Sequence, residues 1–480
     1  MYEKFGQFID GKWQKSKNNE TYEVINPATE EILGNASKAC SEDIEKALIS
    51  SEKGFNKWRN TTPWERSKVL RNIADKIREK KDILAKWMTL EVGKPLAEGI
   101  GEAVGAADIF EWNSEETKRI YGQTVESRFS DTRVHVYYQP VGVVAALVPW
   151  NFPLILASRK ISTALAAGCS VICKPDVITP GTVMELVDIC KECGVPDGVV
   201  NLLSGDPPSI SEQLLESDIV KKVSITGSTR VGKLILKKAA DKVQRVTMEL
   251  SGHSPFIVFE DSNIDKVADM AIAAKFRNNG QVCISPNRFY IQESKKDEFV
   301  KKFIEKTKKL KIGNGLDHGV QLGPITTLKR LGEIEELVET TRKEGAKVLI
   351  GGKRPSGFNK GYFYEPTVFD DVKDNFTIMK KEPFGPLVPM LSFKSFDEVI
   401  KRANNNDLGL CSYIYTNSME KAHKASELME TGCVAVNTPT VAIAEAPFGG
   451  IKQTGYGREG GSMAIKDYLN IKYTHLGLKT

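Results

Sequence analysis

Four short stretches of this sequence combine residue types that can do chemistry with neighbours that can expose them. Cys283 closes the run Arg277-Asn278-Asn279-Gly280-Gln281-Val282-Cys283. A cysteine is by default a small buried hydrophobe. Here an apolar helical stretch runs into Asn-Asn-Gly, a turn signal that can present a thiol as a nucleophile. Glu249, in Met248-Glu249-Leu250-Ser251-Gly252, ends an apolar strand-like run. Burying a carboxylate without a partner is costly, so it either pairs with a Lys or Arg at the rim or serves a function. The C-terminal ends of parallel strands are where ligand crevices form, which suits the second role. Asn151, in Pro149-Trp150-Asn151, follows another such run. Its amide can donate to a developing oxyanion or cap the next helix, and position alone does not separate these. Gly227-Ser228-Thr229-Arg230-Val231-Gly232 joins a strand-like run to a helical one. A glycine there lets the backbone approach a pyrophosphate, and a helix N-terminus favours anionic charge. The spacing is not Gly-x-Gly-x-x-Gly, and many strand-to-helix turns carry Gly and Ser.

The elements that must position these groups follow from periodicity. Ile44, Ala47, Leu48, Phe55 and Trp58 fall on one helical face over 43–58. A second helix follows Pro63, with Leu70, Ile73, Ala74 and Ile77 in register, and a third covers 97–118. The N-terminal part therefore reads as helical. From 141 the texture changes to short strand-like runs, at 141–148, 169–173, 199–203, 221–226 and 244–250, the first of them almost continuously apolar, alternating with helices at 154–167, 180–193 and 230–240. Such runs suit strands buried on both faces, and their alternation with helices implies a parallel sheet. The pattern repeats more loosely, with strands at 256–259, 288–292 and 347–350 and helices at 263–280, 294–310 and 326–344. The stretches 313–324 and 351–361 read as loops. The fold class is α/β, in two lobes with a boundary near 251.

Composition narrows the function. The 480 residues carry 67 basic and 62 acidic side chains, a net charge of +5, with 41% hydrophobic and 27% charged residues. That is an ordinary globular balance, and no basic run is interleaved with aromatics, so nucleic acid is not an expected partner. No apolar run reaches the roughly 18 residues needed to cross a bilayer, so a membrane is not expected either. The start, Met-Tyr-Glu-Lys-Phe-Gly-Gln, has no apolar core of a secretory signal. The eight cysteines lack a disulfide-framework spacing, which suits a reduced cytoplasmic protein. Cys190-x-x-Cys193 is half a zinc motif without a second half, and the five histidines show no metal spacing, so no metal is expected.

Taken in order, Pro149-Trp150-Asn151-Phe152-Pro153, Lys174-Pro175, Thr226-Gly227-Ser228-Thr229, Glu249-Leu250-Ser251-Gly252, Gly280-Gln281-Val282-Cys283, Glu382-Pro383-Phe384-Gly385-Pro386 and Pro447-Phe448-Gly449-Gly450 resemble the aldehyde dehydrogenase superfamily over nearly the whole chain. The resemblance implies a Rossmann-like NAD(P)-binding domain (1–118 and 141–250), a catalytic domain (251–450) and a small oligomerisation flap (119–140 and 451–480), in homodimers or homotetramers. It implies Cys283 as nucleophile, Asn151 with the Cys283 N–H as oxyanion hole, and Glu249 as the base that activates water. It places Lys174 and Glu382 on the two riboses of NAD or NADP, Thr226, Gly227 and Ser228 at nicotinamide and pyrophosphate, and Pro149, Trp150 and Phe384 in the same cofactor site.

Two departures bear on specificity. Many NAD-preferring members carry Glu three residues after the lysine. That position is Val177 here, with Asp176 offset by one, so NAD and NADP both stay open. Arg159 and Arg277 stand where members acting on succinate semialdehyde also carry arginine. An arginine fork binds a distal carboxylate bidentately, although either residue could instead pair with a surface acid. The carboxylate-binding serine of that group is replaced within Val441-Ala442-Ile443-Ala444-Glu445, and the second cysteine used by some as a redox switch is Ser285. The expected activity is oxidation of succinate semialdehyde to succinate, with a glutarate-type semialdehyde or a broad aliphatic aldehyde as the alternative. A cysteine hydrolase using Cys283 and Glu249 without hydride transfer is the rival from another class, against which the turn at 226–232 speaks.

Overall fold

A computed structural model describes residues 2–478. Two seven-stranded sheets dominate it. The first is built from Val143–Leu147, Ser170–Lys174, Val200–Leu202, Val220–Thr226 and Arg245–Glu249, all parallel, with Gln7–Ile9 and Lys12–Gln14 added antiparallel at one edge. Val143–Leu147 and Ser170–Lys174 are buried throughout, as strands covered by helices on both faces must be. The second sheet takes Ser254–Val258, Pro286–Gln292, Thr367–Asp370, Leu387–Phe393, Cys411–Tyr415 and Cys433–Val436 in parallel, with Lys347–Ile350 antiparallel at its edge. The α/β class holds, with two parallel-based sheets at its centre. No helix of the described residues is long and apolar enough to cross a membrane.

The register of the first sheet brings its strand ends to one edge. Leu147 lies beside Lys174 and Ile225, and Thr226 lies beside Glu249. The segment that follows Leu147 therefore emerges next to the ends of three other strands. The helix Pro153–Ala167 starts there with Pro at its first position, where the missing N–H costs nothing.

Three expectations need correction. The N-terminal part is not all helical: four short strands between Gln7 and Ser37 precede the helix Ser41–Trp58, two of them edging the first sheet and two forming a hairpin, Thr21–Ile25 with Ile32–Ser37. They are too short, or too polar on their exposed faces, to show an apolar alternation. The helix Lys81–Val92 falls in a stretch given no element, ending at Gly93 with φ +92°. The helix expected over 263–280 stops at Phe276, because Asn278 and Asn279 take the left-handed conformation at φ +46° and +54°.

A third, three-stranded sheet joins Gln123–Val125 and Thr132–Pro140 to the tail strand Leu469–Gly477. Residues 451–468 run elsewhere: Met248 N–H donates to Tyr456 O and Leu250 N–H to Thr454 O, so this part of the tail lies along Arg245–Glu249.

Candidate active site

Cys283 and Glu249 come from different sheets and meet between them. Cys283 lies just before Pro286–Gln292, and Glu249 is the last residue of Arg245–Glu249. Glu249 is only 1% exposed, and among the described residues neither of its carboxylate oxygens accepts from an N–H or O–H group, the Cys283 thiol being the hydrogen-bonding group beside it. Burial lifts its pKa from 4.5 to about 7, with the nearby Glu459 carboxylate adding to the rise and Lys160, the Cys283 thiol and Arg159 opposing it. Burial also pushes the Cys283 thiol well above its ordinary value, helped by the Glu249 charge. A buried carboxylate near neutrality beside a thiol marks a candidate functional site.

The turn carrying Cys283 is strained and heavily tied. Asn278, Asn279 and Gly280 have φ of +46°, +54° and +74°. Asn278 Nδ2 donates to Asn151 O at 3.0 Å and to Gln281 O at 3.3 Å, while Asn279 Nδ2 donates to Gly323 O at 2.8 Å. A Cβ on Gly280 would sit 2.2 Å from Gly385 O, so only glycine fits. Asn151 is buried, and its Nδ2 donates to Gln281 O at 3.1 Å, which aims the amide at the Cys283 segment. Strain of this kind persists only where the surroundings over-determine it.

A cavity of about 830 Å³ opens on this pair. Of the expected site residues, Pro149, Trp150, Asn151, Thr226, Gly227, Ser228, Glu249, Cys283, Glu382 and Phe384 line it. Lys174 does not: it is buried at the end of its strand, with Asp176 and Asp206 as the nearby acids. Trp150 and Phe384 meet edge to face, 5.6 Å between ring centroids. Phe384 takes φ +46°, rare for a bulky residue, and Arg330 holds it there by donating to Pro383 O and Phe384 O. Glu382 accepts the Gly252 N–H at 3.2 Å, and burial raises its pKa to about 7.

The cavity suits a dinucleotide. It runs from Cys283 to the first turn of the helix Thr229–Ala240, whose N-cap is Ser228. A Cβ at Gly227 would meet nothing within 4 Å, so the backbone there is open to approach. Arg230, Lys329, Arg330, Lys380 and Lys381 also line it. Sequence reasoning did not single them out, because these cations come from three separated segments and no spacing links them.

The two arginines are placed differently. Arg159 is buried, donates to Glu459 O at 3.0 Å and stacks on Phe448 at 4.9 Å, with the Glu459, Glu249 and Cys283 charges nearby. Arg277 is exposed and stacks on Phe152 at 4.6 Å. It lines two smaller cavities. One of about 180 Å³ is otherwise formed by apolar or weakly polar residues such as Val282, Tyr413, Pro439 and Val441, and the other, of about 460 Å³, also contains Glu98. Neither arginine forms a salt bridge with a surface acid among the described residues.

Residues 13–474 match the family model described as the aldehyde dehydrogenase family. A glutarate-semialdehyde dehydrogenase of Pseudomonas putida is 42% identical over 97% of this chain and 96% of its own length. A succinate-semialdehyde dehydrogenase (NADP(+)) of Escherichia coli is 41% identical over 98% of this chain and 97% of its own. Among solved structures, a succinate-semialdehyde dehydrogenase from Burkholderia pseudomallei superposes with a TM-score of 0.97 at 39% identity, covering 98% of each chain. A betaine aldehyde dehydrogenase from Staphylococcus aureus in complex with NAD+ gives 0.97 at 34% identity, covering 99% of this chain and 95% of that one. A family match across nearly the whole length, on a fold shared this closely, leaves one conclusion: the chain belongs to the aldehyde dehydrogenase family, and it is an enzyme that oxidises aldehydes with NAD or NADP.

Proposed function

We propose that this chain oxidises succinate semialdehyde to succinate through a thioester on Cys283. The Cys283 thiolate adds to the aldehyde carbon, and the resulting oxyanion accepts hydrogen bonds from Asn151 Nδ2 and the Cys283 N–H. When bound, NAD+ or NADP+ supplies the acceptor for the hydride that leaves this carbon. Glu249 then takes a proton from water, the hydroxide adds to the thioester carbon, and the C–S bond breaks to release the acid and the Cys283 thiolate, the proton remaining on Glu249. A base near neutrality suits that step, because it is free to accept a proton yet basic enough to take one. Pro149, Trp150, Thr226, Gly227, Ser228, Glu382 and Phe384 would hold the cofactor in the cavity they line. Lys174, at the end of its strand, would reach the adenosine ribose.

The substrate reading is carried by Arg277. Among the described residues it forms no salt bridge, with the Glu98 carboxylate only in its neighbourhood, and it stands at the mouth of a small, mostly apolar cavity beside the Cys283 turn. Such a group selects an aldehyde with a distal carboxylate, and Arg159, near Cys283 and Glu249, would supply a second fork. The apolar residues Val441 and Ala442 in the same wall favour glutarate semialdehyde as the second reading, since one more methylene finds apolar contact there. Exposed Val125, Ile471 and Tyr473 on the three-stranded sheet support a homodimer or homotetramer built through it. The eight cysteines are free thiols, which supports the cytoplasm as its compartment.

Initial rates with succinate semialdehyde, glutarate semialdehyde and an uncharged aldehyde of equal length, each with NAD+ and NADP+, test the reading. The acidic aldehydes should win by at least about tenfold in kcat/KM. Equal use of the uncharged aldehyde would overturn the substrate assignment while leaving the family untouched.

A further inference from the structure

The helix Leu96–Glu116 offers two carboxylates one turn apart, Glu98 and Glu102, and each reaches a different half of the active site. Glu98 accepts the Asn278 N–H at 2.7 Å, at the first left-handed residue of the Cys283 turn. Glu102 accepts the N–H groups of Leu154 and Ile155 at 3.0 and 3.2 Å, in the first turn of the helix that follows Asn151. Its other oxygen pairs with Lys94, in an ion pair with no solvent exposure on either side chain. Lys94 also donates to Asn151 O at 2.8 Å and lies 3.8 Å above the Phe152 ring. Asn278 Nδ2 donates to that same Asn151 O, so the two arms converge on one carbonyl.

We propose that Lys94, Glu98 and Glu102 are positioning residues, a bracket from the N-terminal helices that sets the distance between the Asn151 amide and the Cys283 N–H. The inference rests on the reading of those two groups as the oxyanion hole. The reason is geometric. Asn151 follows a strand of the first sheet and Cys283 precedes a strand of the second. Their relative placement depends on whatever spans the two sheets. Burying an ion pair costs desolvation on both charges, so one retained at zero exposure calls for a use beyond stability. None of the three side chains touches the reacting atoms. Their effect passes through Asn151 O and Asn278 N.

The test uses the full-length enzyme and three rates. Aldehyde oxidation and cofactor-free hydrolysis of p-nitrophenyl acetate both pass through an oxyanion, whereas alkylation of Cys283 by iodoacetamide does not. The variants are Lys94→Met, the neutral double Lys94→Met/Glu102→Gln, Glu98→Ala and Asn151→Ala. Misplacing an oxyanion donor should lower kcat in both oxyanion reactions by about 10- to 100-fold in Lys94→Met, with KM and the alkylation rate within about twofold of wild type. The double variant has no uncompensated buried charge, so its melting temperature should recover while its kcat stays low. A kcat that recovers with the melting temperature would reduce the pair to a stability role and overturn the proposal. Alkylation that slows in parallel would overturn it too. Should Lys94→Met not fold, Glu98→Ala, at the partly exposed arm, decides by the same rates with an expected loss of about tenfold. A wild-type rate in Asn151→Ala removes the oxyanion reading itself. A slow Asn151→Ala beside wild-type bracket variants removes only the bracket.

Discussion

Replacing Glu249 by Gln should make the protein slower and, at neutral pH, more stable. The carboxyl is buried, its oxygens accept from no N–H or O–H group among the described residues, and its pKa is lifted from 4.5 to about 7. Below pH 4.5 both folded and unfolded chains keep the proton, and no stability is at stake. Between 4.5 and 7 the unfolded chain ionises while the folded one holds its proton, so stability falls as pH rises. Above about 7 both are ionised and the cost is fully present. At about 1.4 kcal/mol per pH unit, that cost is about 3 kcal/mol. Glutamine of the same shape carries no charge, so the variant should match wild type in melting near pH 4.5 and exceed it at pH 8. Its kcat should fall by about 10²- to 10⁴-fold, the range for loss of a general base. One equivalent of reduced cofactor per active site should still form in a burst, because the thioester forms before the base acts. The ascending limb of kcat near pH 7, expected of wild type, should vanish. A variant less stable than wild type at pH 8 would refute the desolvation argument. A variant with no burst would place Glu249 before thioester formation.

Three further outcomes follow from named contacts. Arg277→Ala should raise KM for succinate semialdehyde by about 10- to 100-fold and leave an uncharged aldehyde unaffected, since a charged hydrogen-bonded pair is worth about 1.5–3 kcal/mol; equal effects on both substrates in steady-state rates would count against a carboxylate clamp. Arg159→Ala should differ by also lowering the melting temperature, because that guanidinium is buried against Phe448 and Glu459 O. Gly280→Ala puts a Cβ 2.2 Å from Gly385 O at φ +74°, and should cost about 3 kcal/mol or more with loss of most activity, read by calorimetry and rate together.

The parts of the fold that announce themselves in the sequence are those whose burial is total. The runs at 141–148 and 169–173 are legible because both faces of each strand are covered, leaving little room for polar residues. Gln7–Ile9 and Lys12–Gln14 are not, because three-residue edge strands are too brief for a period. The break of the helix at Phe276 was signalled by Asn-Asn-Gly, yet the apolar run before it masked where the turn begins. The site has the same division. Cys283, Glu249 and Asn151 lie in local motifs at strand ends. Glu98 and Glu102 lie in an unremarkable helix and Lys94 in the short connection before it, and only their contacts, 52 to 180 residues away in sequence, mark them.

The burial that makes Glu249 a base also handicaps the nucleophile, so the two must be understood as one titrating unit. Burial raises both groups, and each ionisation opposes the other: the Glu249 charge pushes the thiol further up. In wild type near pH 8 the carboxylate is ionised and the thiol is held protonated. Removing that charge, and with it the thiol's hydrogen bond to the carboxylate, in Glu249→Gln leaves burial as the main cause acting on Cys283, with the Glu382 carboxylate adding to it and the Ile284 N–H still favouring the thiolate. Alkylation of Cys283 by iodoacetamide at pH 8 should therefore be faster in the variant, even as turnover collapses. Charge repulsion alone predicts that opposition between two rates in one protein. Were Glu249 instead the acceptor of the thiol proton, its loss would slow alkylation and turnover together. A slower alkylation would then move the carboxylate's role from the water to the thiol, and with it the meaning of the pH limb near 7.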